Sequence, residues 1–268
     1  MAIEPLIVGA PFGNYLVREG VTSTAGTFTW EHRAGVLKRI WRVMRTVRYN
    51  RRQQAWINKL GLPNPGLRSV RESMAERIVS LHGFTEHEWQ SLIDYAARME
   101  PAPLAIELNI SCPNVSKVVT DEVLVACRAA LAHQDRFLTI AKLPPVRWLE
   151  LAAPLYDMGI RWFHCCNTIP TPGGGVSGKP LKNYSLWAVG DLRDRFGDDV
   201  HLIGGGGVSC TADLDDFLSA GADHIAVASL LLNPLRWPQI NRFRDHLRAR
   251  LPQQTDRLAP ASAGPPGN

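Results

Sequence analysis

Cys112 stands in "AIELNISCPN", residues 105–114, flanked by Asn109 and Asn114 and followed directly by Pro113. The apolar run ahead of it reads as a buried strand, so the strand's carboxyl end delivers a thiol into a loop. Two roles fit. A free cysteine packs as a small hydrophobe, or the thiol is held over a substrate as a base. An unperturbed thiol is only a few per cent ionised at neutral pH, so its surroundings decide its reactivity. Asparagines beside it offer donors and acceptors without adding charge.

Other polar groups also close apolar runs. Lys142 ends "FLTIAK" just before "LPP", Asn167 and Thr168 follow "IRWFHCC", and Ala228 and Ser229 close "DHIAVASL". A lysine there could form a Schiff base, neutralise an anionic cofactor, or simply face solvent. The glycine run in "LIGGGGVSCTADL" leaves a strand and opens a helix that Thr211 would cap. Glycines allow close backbone approach and a helix start favours an anion, so a phosphate fits here, as does a plain tight turn. The acidic residue of a dinucleotide fingerprint is not evident. "TPGGGVSGKPLKN", residues 171–183, is a second glycine loop, either folded over a bound group or a surface connection. At least one of Cys165 and Cys166, just ahead of it, is assigned to packing.

Positioning these groups together requires a particular fold. Candidate strands lie at 5–9, 21–25, 77–82, 103–110, 137–142, 160–166, 199–203 and 223–228. Helical patterns occupy 121–133, 145–158, 184–196, 211–220 and 236–250. Capping-box spacing at Ser69 with Glu72 and at Thr85 with Glu88 predicts helix starts near 69 and 85. Eight strands alternating with helices point to a (β/α)8 TIM barrel, with an open doubly wound sheet as the alternative. About a dozen residues separate the first two strands, too few for a full crossover helix, so the first helix is reduced. A basic insertion lies between strands two and three. In such a barrel the reacting groups come from the carboxyl ends of strands, where the polar groups above gather.

Composition narrows the class. The chain has 268 residues, 45% hydrophobic and 21% charged, enough for one barrel domain over 1–251, with a Pro/Ala/Gly-rich tail at 252–268 read as disordered. No apolar run is long enough to span a membrane, and "MAIEPLIVGAPFG" does not read as a secretory signal. Five irregularly spaced cysteines with no CxxC pair fit a reducing, cytoplasmic setting and no metal site. The net charge of +5 is concentrated in residues 33–52, whose Val36, Leu37, Ile40, Met44 and Val47 recur at helical spacing opposite arginines. Such a basic helix could meet a membrane surface, an acidic partner or nucleic acid, or pack on its own domain. We expect the last, with neither nucleic acid nor membrane as partner.

The motifs together resemble one family. "ELNISCPN", "AKLPP", "CNT", "GGGVSGKPLK", "LIGGGGVS" and "AGADHIAVASLL" occur in the order seen in dihydroorotate dehydrogenases, and "NKLGLPNPG", residues 58–66, resembles that family's substrate loop. The resemblance implies an FMN-binding α/β barrel that oxidises dihydroorotate to orotate in pyrimidine synthesis. It puts Cys112 on the catalytic base position, a cysteine as in the class 1 enzymes. Asn58, Asn109, Asn114, Asn167 and Thr168 fall on substrate-contacting positions, with the amides of Leu60, Gly61 and Leu62 facing the substrate carboxylate. Lys142 falls beside the flavin ring, and Ala10, Asn109, Cys166, Gly178, Gly206, Gly207, Ala228 and Ser229 on FMN-contacting positions. A homodimer or an electron-transfer partner subunit is implied likewise, with fumarate, NAD through a partner, or another oxidant as acceptor. One departure stands out: the family's lysine near the first two strands is missing from "GAPFGNY", and "TSTAGTFT" has Thr24 or a neighbour instead. Two alternatives therefore stay open: an FMN oxidoreductase acting on another cyclic amide or unsaturated acid, and a non-catalytic flavin-binding or interaction protein.

Overall fold

A computed structural model describes residues 2–33, 41, 45–59, 61–110 and 120–251. Leu60, Cys112, Asn114 and the tail at 252–268 lie outside the described residues. In chain order the first strands are β1 (Leu6–Val8), β2 (Thr22–Phe28), β3 (Arg48–Asn50), β4 (Ala55–Asn58), β5 (Arg77–Leu81) and β6 (Ala105–Leu108). There follow β7 (Leu138–Lys142), β8 (Trp162–Cys165), β9 (Ile169–Thr171), β10 (Gly174–Gly178), β11 (His201–Gly205) and β12 (His224–Val227). The helices are α1 (Glu86–Ala97), α2 (Asp121–Leu131), α3 (Trp148–Met158), α4 (Lys179–Phe196), α5 (Thr211–Ser219) and α6 (Gln239–Arg250).

Strands β1, β2, β5, β6, β7, β8, β11 and β12 close into a parallel barrel, sealed by β1 against β12 with Leu6 opposite Ile225. They coincide with the eight expected strands. Runs of Ile, Val and Leu buried on both faces are what a helix-covered parallel strand requires. Only a 3-10 turn, Phe12–Asn14, joins β1 to β2. A side chain at Gly13 would lie 2.2 Å from the Thr24 carbonyl, so this turn sits directly on β2. Thr85 caps α1 as its spacing predicts, accepting from the Glu88 amide while Glu88 reaches back to the Phe84 N–H. No helix among the described residues is long and apolar enough to cross a membrane, and Cys127, Cys165, Cys166 and Cys210 are all free.

Strand pleating stratifies the barrel interior. Successive side chains alternate between faces, so residues two apart occupy successive layers on one face. Ile7, Ile78, Ala105, Ile140, Trp162, Ile203 and Ala226 form one apolar layer. Two residues further toward the carboxyl ends stand Ser80, Glu107, Lys142, His164 and Gly205. The pleat therefore stacks a polar layer on an apolar floor.

Two local expectations are corrected, and a third is described only in part. No helix follows Ser69: a 3-10 turn at Leu67–Ser69 ends in extended Val70, and the six residues before β5 leave no length for a packed helix. The helical spacing read over 36–47 falls largely outside the described residues. Trp41, Arg45 and Thr46 are helical, with the Arg45 guanidinium 4.9 Å from the Trp41 ring, but residues 48–50 form β3. The segment 171–183 is not a loop. β10 pairs with β9 and β4 in a four-stranded antiparallel sheet of order β3-β4-β10-β9, where Tyr49 packs on Trp56 across the strands. The glycines serve this close pairing: a side chain at Gly175 would meet Thr168 Oγ1 at 2.5 Å, and one at Gly178 the Gln54 carbonyl at 2.6 Å.

Candidate active site

The polar layer is a connected cluster. Glu107, 1% exposed, is neighboured by Ser80 on β5 and reached by Lys142 and His164 from β7 and β8. Its Oε1 accepts from Ser80 Oγ at 2.8 Å and lies 3.4 Å from Lys142 Nζ, while Oε2 is 2.6 Å from His164 Nδ1. Burial works against its charge, but the Lys142 charge, then His164 and the Ser80 bond, outweigh it and hold the carboxyl well below the usual carboxylate range. Burial, reinforced by Lys142, lowers His164, so the imidazole is neutral and donates from Nδ1. A side chain at Gly205 would lie 3.0 Å from the Ala226 carbonyl and 3.3 Å from His164 Nε2, so that layer has little room beyond glycine. Glu107 is thus the anion that a lysine closing an apolar strand requires.

The cluster extends to the rim. Ser80 Oγ is 2.9 Å from Thr27 Oγ1, which accepts from Asn109 Nδ2 at 3.2 Å. Asn109 Oδ1 accepts from Asn167 Nδ2 at 2.9 Å, and Asn167 Oδ1 from the Thr168 amide at 2.8 Å. Lys142, Asn109, Asn167 and Thr168, singled out from sequence, are thus brought into one network. Asn58, ending β4, donates to the Gly175 carbonyl at 3.4 Å, beside Thr168. Gly61 and Leu62 have left-handed backbones (φ 65° and 52°). Their loop is held by Asn64, which donates to the Leu62 carbonyl and accepts from the Thr29 and Gly66 amides.

A second group lies across β8, β11 and β12. Gly206 and Gly207 have φ of 106° and 75°, and a side chain on Gly207 would meet the Gly178 carbonyl at 2.8 Å. Ser229 starts a 3-10 turn after Ala228, and Ala10 follows β1 beside β12. Cys165 is fully buried, and a hydrogen bond with Cys166 followed by burial pushes its thiol up, consistent with packing. Cys166 is buried just behind the rim. Thr211 does not cap α5. Cys210 is the N-cap residue, and Asp213 Oδ2 accepts from the Ser209 and Cys210 amides at 2.7 and 3.0 Å. Burial opposes the Asp213 charge, yet Lys182, Ser209 and Cys210 hold its carboxyl down to about 2. That carboxylate occupies the helix start, so an anion would be met by the glycine turn instead.

The glycine turn packs so closely on the start of α4 that a side chain at Gly206 would meet Leu181 at 2.7 Å and one at Gly207 the Gly178 carbonyl at 2.8 Å. Its backbone therefore stays bare, as the phosphate of a flavin mononucleotide would need, and Lys142 offers a cation on the same barrel end. Among the described residues no cluster of metal-ligating side chains occurs.

Sequence reading missed Ser80, Glu107, His164, Thr27 and Asn64. For the first three the signal was present as the residue two beyond each apolar barrel position. Thr27 needed knowledge of an irregular register between Ala25 and Phe28.

A closed parallel barrel with its polar groups gathered at the strand carboxyl ends defines the class of barrel that binds and works on ligands at that rim. Comparison with known proteins narrows it. A family model described as "Dihydroorotate dehydrogenase" matches residues 160–244. The chain is 31% identical over 198 residues to the dihydroorotate dehydrogenase B (NAD(+)) catalytic subunit of Thermotoga maritima, covering 65% of this chain and 72% of that one. It is 32% identical over 212 residues to that of Desulforudis audaxviator, covering 66% and 67%. Against that of Methanocaldococcus jannaschii it is 30% identical over 207 residues, and there it spans 66% of the relative's length, just under two thirds. The structure of DHODH from Eimeria tenella in complex with ferulenol has the same fold, with a TM-score of 0.74 and 19% identity, covering 92% of this chain and 81% of that one. The chain belongs to the dihydroorotate dehydrogenase family.

Proposed function

We propose that the chain oxidises dihydroorotate to orotate with FMN as cofactor. Forming the ring C=C bond removes a proton from one carbon and a hydride from its neighbour. Cys112, three residues beyond Asn109, is assigned as the base that takes the proton. Bound FMN would accept the hydride, held by Gly206, Gly207, Gly178, Ala228, Ser229 and Ala10, with Cys166 behind it. Lys142 offers a fixed positive charge in a water-poor interior, where such charges act most strongly. Asn109, Asn167, Thr168, Asn58 and Asn114 bind the amide-rich ring, and the amides of Leu60, Gly61 and Leu62 bind its carboxylate. The relatives' names make them catalytic subunits of NAD(+)-linked enzymes. We therefore assign the electron outlet to a second subunit that passes electrons to NAD, in the cytoplasm.

One observation carries this reading. The cation expected beside the flavin and two of the asparagines expected on the substrate, Asn109 and Asn167, belong to a single hydrogen-bonded network at one end of the barrel. The test is optical. Protein incubated with FMN and desalted should be yellow and should bleach on anaerobic addition of dihydroorotate. Protein that retains no FMN contradicts every flavin reading, and yellow protein that stays oxidised contradicts the substrate.

A further inference from the structure

The network has a direction. Glu107 is an ionised carboxylate and only accepts, so the single Ser80 proton is committed to it. The bond between Ser80 and Thr27 must then use the Thr27 proton. Thr27 Oγ1 can only accept from its remaining partner, so the nitrogen of the Asn109 amide, not its oxygen, faces it. The other end agrees. The Thr168 amide is a fixed donor, which turns the Asn167 oxygen toward it and the Asn167 nitrogen toward Asn109 Oδ1. Reversing Asn109 would set oxygen against a spent hydroxyl and nitrogen against nitrogen.

We propose that Thr27 and Ser80 are positioning residues that relay the buried charge of Glu107 to Asn109, fixing that amide as a hydrogen-bond donor to a carbonyl oxygen of the ring substrate. The proposal rests on the reading of Asn109 as a substrate contact. One Asn109 N–H is spent on Thr27 and its oxygen on Asn167, so the second N–H is what this chain of bonds leaves for a ligand. Thr27 lies in "TSTAGTFT", the stretch from which the family's lysine is absent. At Gly26, φ is 106° and a side chain would lie 2.5 Å from the Ser80 carbonyl, so the backbone there closes on β5 and hands the contact to Thr27. The orientation of Asn109 is thus set from Ser80, which does not touch it.

The experiment uses the full chain with Ser80→Ala, Thr27→Val, the double variant and Thr27→Ser. Two readouts are taken: the side-chain amide NMR signals of Asn109, and the Kd for orotate. Ser80→Ala should shift the Asn109 signals, and each single variant should weaken orotate binding about tenfold, roughly one hydrogen bond. The double variant should lose no more than either single one, because both cut the same chain. Thr27→Ser, which keeps the hydroxyl, should restore binding. Unmoved Asn109 signals in Ser80→Ala, or losses that simply add, overturn the relay. Shifted signals in a protein that binds no orotate even as wild type leave the relay standing and sink the substrate assignment instead.

Discussion

Replacing Lys142 with methionine tests the buried charge cluster directly. The change keeps most of the side chain's bulk and leaves Glu107 facing Ser80 and a neutral His164. At the observed 3.4 Å, two unit charges attract by about 5 kcal/mol at an effective dielectric near 20. Part of that is returned because the ammonium no longer has to be desolvated, and breaking a buried pair from one side typically costs about 3–5 kcal/mol. We expect about 3 kcal/mol at pH near 8. The loss should depend on pH. Burial lowers His164 first, and the Lys142 charge second. Without Lys142, only burial still opposes a proton on the imidazole 2.6 Å from Glu107, so its folded-state pKa is less depressed than in the wild type. Held neutral in the wild type, His164 costs stability as pH falls below the unfolded histidine pKa of about 6.5, and the variant is relieved of the part of that cost that came from the Lys142 charge. The deficit should therefore shrink by about 1 kcal/mol or more between pH near 8 and near 5.5. Urea unfolding of wild type and variant at both pH values, followed by tryptophan fluorescence, measures it. A loss below about 1 kcal/mol at the higher pH, or an equal loss at both, refutes the reasoning.

Two further outcomes follow from the same geometry. Gly207→Ala puts a methyl group 2.8 Å from the Gly178 carbonyl at a φ of 75°, so the variant should lose more than about 1 kcal/mol of stability and, by displacing the turn, retain little FMN; full FMN content in the purified variant contradicts the assignment of this turn to the FMN. Burial lowers both His164 and His224, so the unfolded chain takes up protons that the folded chain excludes as pH falls below about 6.5. Stability should drop on acidification by up to about 1.4 kcal/mol per pH unit per histidine, and a urea midpoint unchanged between pH near 7 and near 5 contradicts it.

The barrel was legible because most of its strands are short apolar runs alternating with helical patterns. Several of them, such as those leading to Asn109, Lys142 and Asn167, close at a polar residue. Lys142 drew notice since a lysine closing an apolar strand needs an anion, yet that anion, Glu107, was passed over inside "AIELNI". The pleat makes the omission instructive: Ser80, Glu107, Lys142 and His164 each stand two residues beyond Ile78, Ala105, Ile140 and Trp162. Counting by two from the apolar floor identifies all four. The β3-β4-β10-β9 sheet offered no comparable signal. Its central pairing sets Asn58 opposite Gly175 and Ile57 opposite Val176, far apart in sequence, and its glycines read locally as a loop. The helix predicted after Ser69 failed because capping chemistry marks a start but says nothing of the length available to continue. At the helix start of α5 the side chain three residues on, Asp213, mattered more than the hydroxyl of Thr211.

The assignment of Cys112 as base governs the whole chemical reading, and one rate decides it. With FMN-loaded protein, anaerobic stopped-flow mixing with dihydroorotate follows the loss of flavin absorbance. Cys112→Ala should slow that phase by orders of magnitude, about 10²–10⁴-fold for loss of a general base, without lowering FMN content. A variant that bleaches as fast as wild type would contradict the account.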